Sequence, residues 1–141
     1  MFLLDTNVFS ELRKAKPHGA VLAWITSVPP EHLFVSAMTI AEIQVGVELT
    51  RVHDRRRALE IEAWLLRTMA SSQVLAMDAE VARIWAKMMH SKSRSLSEDA
   101  WIAATAKHRQ MTVATRNVKD FTGFEVEIFN PFEDTRPHRR G

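Results

Sequence analysis

The chain opens on Phe2-Leu3-Leu4, an unbroken apolar run stopped by Asp5-Thr6-Asn7. A strand with one face in solvent alternates apolar and polar residues. A strand covered on both faces is apolar throughout, so this run reads as a strand of a buried parallel sheet. In open α/β sheets ligands gather beyond the carboxyl ends of the strands, and Asp5 stands at such an end. A plainer role competes there, because Asp and Asn also cap helix N-termini. The choice turns on whether other carboxylates reach the same edge.

Similar runs recur at His32 to Ser36, Gln73 to Met77, Met111 to Ala114 and Val126 to Phe129. Between them, apolar residues recur at three- and four-residue spacing, as on helices. Val8 to Lys14 and Ala20 to Ile25 form the first two predicted helices, ended by Pro17 and by Pro29-Pro30. Ser36 to Leu49 is the third, with Ile40, Ile43 and Val47 on one face, and another runs through Leu59, Trp64, Leu65 and Met69. Asp78 caps a helix over Ala79 to His90. Ser97 is the expected N-cap of a helix whose Ala100, Ala103, Ala104 and Ala106 suit close packing on a sheet. Strands alternating with helices imply a parallel sheet with helices on both faces.

With 141 residues and 46% apolar content, the chain is sized for one domain with its own core. No apolar run approaches the ~20 residues that span a bilayer. Asp5 comes too early for a secretory leader, so a cytoplasmic protein without a membrane partner is expected. Cysteine is absent, which removes disulfides and thiolate metal sites. The net charge of +2 is too small to argue for nucleic acid by itself. Basic residues nevertheless crowd one junction between helices, at Arg51, His53, Arg55, Arg56 and Arg57, and the tail at Arg136, Arg139 and Arg140.

Acidic residues follow or face predicted strand ends at Asp5, Glu42 and Asp99. Each has a structural alternative. Thr39-Ile40-Ala41-Glu42 fits a capping box, and Glu98 and Asp99 would complement a helix dipole. Thr115-Arg116-Asn117 ends a further strand, with Asp120 shortly after. Carboxylates gathered on one edge repel unless compensated. Mg²⁺ or Mn²⁺ compensates them through oxygen ligands, and such an ion activates water toward a phosphoryl group. Without cysteine or a His-x-x-x-His pair, zinc is a poor fit.

Taken in order, Leu3 to Asn7, Ser36 to Glu42 with Gly46, Asp99 to Ala106, Val113 to Asn117, and Asn130-Pro131-Phe132 resemble a PIN domain of the VapC and FitB type, the toxins of bacterial toxin–antitoxin systems. The resemblance runs from Met1 to about Asp134. It implies a three-layer α/β/α fold with a central parallel sheet over residues 1–134, followed by a basic, frayed tail at 135–141. It implies a Mg²⁺- or Mn²⁺-dependent endoribonuclease acting on RNA, a homodimer or larger assembly, and a cognate antitoxin that blocks the site. Position by position, Asp5, Glu42 and Asp99 match the family's three acidic residues, and Asn117 falls at a fourth position that is often aspartate. Asn117 brings no charge, so the metal is held by less, and Asp120 is offset from the motif. Thr115 matches a position that orients water, and Thr6 supports the first acid. On this reading Asp5 and Asp99 are the main metal ligands. Glu42 is a ligand, directly or through water, or the general base. Arg51, Arg55, Arg56 and Lys92 are candidates to hold the RNA backbone. Two rivals stand beside it. A receiver-type signalling domain needs an acidic pair before its first strand end, which Phe2-Leu3-Leu4-Asp5 lacks, and a phospho-accepting aspartate, for which Asp78 is poorly placed. A catalytically inactive RNA- or protein-binding relative is kept open by Asn117.

Overall fold

The computed structural model describes residues 1–133. The expected tail at 135–141 lies outside the described residues. The strands are β1 (Phe2–Leu4), β2 (Leu33–Ser36), β3 (Val74–Leu75), β4 (Thr112–Ala114) and β5 (Ile128–Phe129). They form one sheet in the order β3-β2-β1-β4-β5, with every neighbouring pair parallel. Leu3 pairs with Phe34 on one side and Val113 on the other, so β1 is central. The helices are α1 (Thr6–Phe9), α2 (Gly19–Ser27), α3 (Ala37–His53), α4 (Arg55–Ser71), α5 (Ala79–Met89), α6 (Ser97–Arg109) and α7 (Val118–Phe121).

Side chains of successive strand residues point to opposite faces. Leu3 therefore enters one core with Ala103, Ala106, Val113 and Phe121, beneath α5, α6 and α7. Leu4 enters the other, with Phe9, Val21, Val35, Leu65 and Ala114, beneath α1, α2 and α4. The apolar run at the N-terminus is thus explained: both of its faces are covered. The alanines of α6 let that helix lie close on the sheet, and Ala100, Ala103, Ala104 and Ala106 are fully buried.

Some local readings change. The predicted helix from Val8 to Lys14 is instead the single turn of α1 followed by a tighter 3₁₀ turn, Ser10–Arg13. Asp54 alone separates α3 from α4: its N–H donates to the Thr50 carbonyl at 2.7 Å, and its side chain accepts from the Arg57 N–H at 3.0 Å. One residue ends one helix and caps the next. Ser97 does not cap α6, because the 3₁₀ turn Arg94–Leu96 runs directly into it and Ser97 is already helical. Asp78 caps α5 as expected, accepting from the Val81 N–H at 2.9 Å.

Leu3→Ala, at a position with no exposure, is expected to cost about 2–5 kcal/mol in a denaturant titration. Arg56→Ala, whose side chain is 93% exposed, should leave the midpoint nearly unchanged.

Candidate active site

The strand order reverses direction between β1 and β4, and the open sheet leaves a crevice beyond their carboxyl ends at that point. Asp5 lies there, 4% exposed, with its N–H held by the Ala114 carbonyl at 2.9 Å. Its Oδ1 accepts from the Thr6 N–H at 2.8 Å. Its Oδ2 accepts from the Thr115 hydroxyl at 2.7 Å and the Asn7 amide at 3.1 Å. Asp5 is therefore both the N-cap of α1 and an acid at the strand end, and the two readings are one. The Thr115 hydroxyl in turn accepts from the Asn117 N–H at 3.0 Å, and Asn7 Oδ1 accepts from the Arg116 N–H at 3.2 Å. These bonds stitch the loops after β1 and β4 together.

Ser36 caps α3, accepting from the Met38 N–H at 3.1 Å. The capping box is thereby excluded: Thr39 is a buried interior residue of the helix, and its hydroxyl accepts from Thr6 at 3.1 Å. Glu42, on the next turn, is half-buried and turned toward the other acids. Burial pushes its carboxyl up from 4.5 to about 7, with Asp5, Glu98 and Asp99 adding to the rise and the Thr6 hydroxyl opposing it. Asp99, in the first turn of α6, rises from 3.8 to about 6, first through burial and then through Asp5, Asp120 and Glu98. Burial also raises Asp5, against its donors Thr115, Thr6 and Asn7. Asp5, Glu42, Glu98, Asp99 and Asp120 thus form one electrostatic cluster.

Asn117 sits beside this cluster, exposed at the start of α7, with its backbone tied to Thr115 and its side chain making no capping bond. The basic candidates lie elsewhere. Arg51 is nine residues along α3 from Glu42, about 14 Å away at helical rise, and Arg55 and Arg56 lie beyond the end of α3, in the first turn of α4. Arg51 bonds to Glu48 at 3.1 Å and Glu62 at 3.0 Å, and Arg56 lies 3.8 Å from Glu60. Lys92 occupies the turn before α6, its Nζ 5.9 Å from the Phe124 ring centroid. Sequence reasoning missed Glu98, taken as a dipole partner only, and Thr39, Asn7 and Arg116. The position of Asn7, two residues past the first acid, was the available signal for that residue.

Among the described residues no three His, Cys, Asp or Glu side chains close into a ready metal cage. The donor set is nevertheless all oxygen and strongly negative, with three carboxyls displaced toward their protonated forms. A hard divalent ion that keeps several waters relieves such a cluster without needing every carboxylate in direct contact. The residues fit that kind of ion.

A sheet of this order, with acids gathered at its switch point and helices on both faces, defines a three-layer α/β/α domain with an acidic crevice. The chain belongs to the PIN domain family, whose match covers residues 2–123. It is 38% identical over 141 residues to toxin FitB of Neisseria gonorrhoeae, covering 95% of this chain and 100% of that one. It is 38% identical over 139 residues to VapC ribonuclease Y4jK of Sinorhizobium fredii, covering 94% and 99%. Among solved structures, that of FitAB bound to the IR36 DNA fragment matches with a TM-score of 0.76 at 38% identity, covering 94% of this chain and 96% of that one.

A carboxyl whose folded value is raised stabilises the fold below its unfolded value and loses that contribution as pH rises through the folded value. With divalent ions removed, the melting temperature should therefore fall as pH rises between about 4 and 7, the window of Asp99 and Glu42. Asp99→Asn should flatten that fall, and added Mg²⁺ should offset it. Melting curves across pH, with and without chelator, check both.

Proposed function

We propose that the chain is the toxin component of a type II toxin–antitoxin system, an endoribonuclease that hydrolyses RNA phosphodiesters with Mg²⁺ or Mn²⁺. The observation that carries the reading is the acidic cluster around Asp5 at the switch point of a PIN domain fold. The relatives named as a toxin and a ribonuclease support it.

Asp5 and Asp99 would hold the cation, with Glu42 joining directly or through water. When bound, the ion supplies an activated water and offsets charge on the phosphoryl oxygen. The chain's own part is to prepare these groups. Thr6, Asn7 and Thr115 fix both oxygens of Asp5, so its direction is set before any ligand arrives. Glu42, half-buried and facing Asp5 and Asp99, is placed to take a proton from an attacking water. Glu98 and Asp120 deepen the negative potential, and Asn117 borders it without adding charge. Arg55, Arg56 and Lys92 are left as remote contacts for the RNA backbone, and Arg51 joins them only by releasing its carboxylates.

A homodimer and an antitoxin partner belong to the same proposal. The exposed Val45, Leu49 and Val52 on α3, with Leu59 and Leu66 on α4, leave an apolar stripe that suits such contacts. No helix among the described residues is long and apolar enough to cross a membrane, and we assign the protein to the cytoplasm.

Cleavage of RNA should require Mg²⁺ or Mn²⁺ and stop with chelator; full activity in chelator overturns the metal mechanism. Asp99→Asn should abolish cleavage while the chelated protein melts no lower, whereas Asp5→Asn should abolish cleavage and also melt lower, because an amide nitrogen cannot accept from the donors that hold both Asp5 oxygens. Glu42→Gln should lower the rate at least tenfold, about 1.4 kcal/mol, because the amide cannot take up a proton. An inactive binding module would show none of these losses, having no activity to lose.

Asn117→Asp adds a like charge to the cluster. Activity should saturate at a lower Mg²⁺ concentration, and the chelated protein should melt lower, both from one cause. A variant that changes neither excludes Asn117 from the site and favours Asp120.

A further inference from the structure

An acidic crevice repels the phosphates it is to receive. A cation near it is useful only if the acids do not consume it. Arg116 meets this condition. It lies between Thr115, which donates to Asp5, and Asn117. Its N–H is held by Asn7 Oδ1 at 3.2 Å, and Asn7 also donates to Asp5. The backbone of Arg116 is therefore two hydrogen bonds from the central acid. Yet its exposed guanidinium makes no ion pair with a carboxylate among the described residues.

The guanidinium instead lies over the Phe132 ring, its Cζ 4.2 Å from the ring centroid. That ring is itself fixed. The Phe132 N–H donates to Asn130 Oδ1 at 2.9 Å, and the ring meets His18 at 5.1 Å between centroids. Stacking holds an otherwise mobile side chain in one place and occupies its face, while its N–H fork is the part that matches phosphate oxygens bidentately. A side chain already ordered loses less freedom when it binds.

We propose that Arg116, held on Phe132, binds the RNA phosphate next to the one at the acidic cluster. Phe132 acts as its positioning residue. The inference rests on the ribonuclease reading and adds a substrate contact to it. The competing role is purely structural, a strap tying the segment after β5 to β4.

Steady-state cleavage and binding to uncleaved RNA in chelator, each over a range of salt, separate the two. Arg116→Gln should raise KM at least fivefold with kcat within twofold, and reduce the slope of log affinity against log salt by about 0.7, one single-strand phosphate contact. Arg116→Lys should restore most of the slope but only part of the KM, since it keeps charge without the fork. Phe132→Leu should keep the slope and raise KM by less than Arg116→Gln. An Arg116→Gln protein with wild-type KM and slope, or one that does not fold, establishes the strap and overturns the inference. A wild-type protein that neither binds nor cleaves RNA removes the proposed function, and the inference with it; a wild type that cleaves beside an Arg116→Gln protein of equal KM and slope removes Arg116 alone.

Discussion

A carboxylate buried at the end of the central strand is the constraint the rest of the site depends on. Ionised Asp5 in an apolar core would be costly. The fold meets that cost with three donors drawn from two places in the chain: Thr6 and Asn7 beside it, and Thr115 at the end of the neighbouring strand. The Thr115 bond is the decisive one, because it exists only if β1 and β4 are adjacent and in register. Leu4 pairing with Ala114 sets that register. Shifting it by one residue would turn Leu3 and Leu4 to the wrong cores and remove the hydroxyl from Asp5.

The remaining acids are held by less. Glu42 is carried on the second turn of α3 because Ser36 starts that helix immediately after β2. Asp99 is carried on the first turn of α6. Neither has the set of donors that Asp5 has, and burial moves both carboxyls toward protonation, as it does Asp5 against its donors. The architecture thus separates one acid fixed by hydrogen bonds from two held by less. Stability given up at such a cluster in the metal-free state is the usual companion of function.

Much of this was legible in the sequence because it follows from periodicity. An apolar run without alternation marks a doubly covered strand, and Phe2-Leu3-Leu4 says so without help. The order of the strands, with β4 beside β1, rests on pairing between segments more than a hundred residues apart, which no local pattern carries. The same limit applied to the site. Asp5 was visible as a residue type at a strand end. Whether Glu42 capped a helix or faced Asp5 depended on where α3 begins, and Ser36 and Thr39 compete as caps in any local reading. Glu98 looked like a dipole partner until α6 was placed beside Asp5. Arg51 looked like a free cation until Glu62, from the following helix, came across to it.

The donation from Thr115 to Asp5 spans 110 residues. Contacts of such separation close late, after shorter-range structure has formed. On a ribosome adding about 5–20 residues per second, roughly 5–20 s pass between the synthesis of the acid and the synthesis of the hydroxyl that fixes it. The central strand cannot acquire both neighbours until nearly all of the domain has been made. A chain cut or still growing short of Thr115 therefore lacks both the β1–β4 pairing and the hydroxyl that fixes Asp5, and the acidic end of the sheet is not yet built.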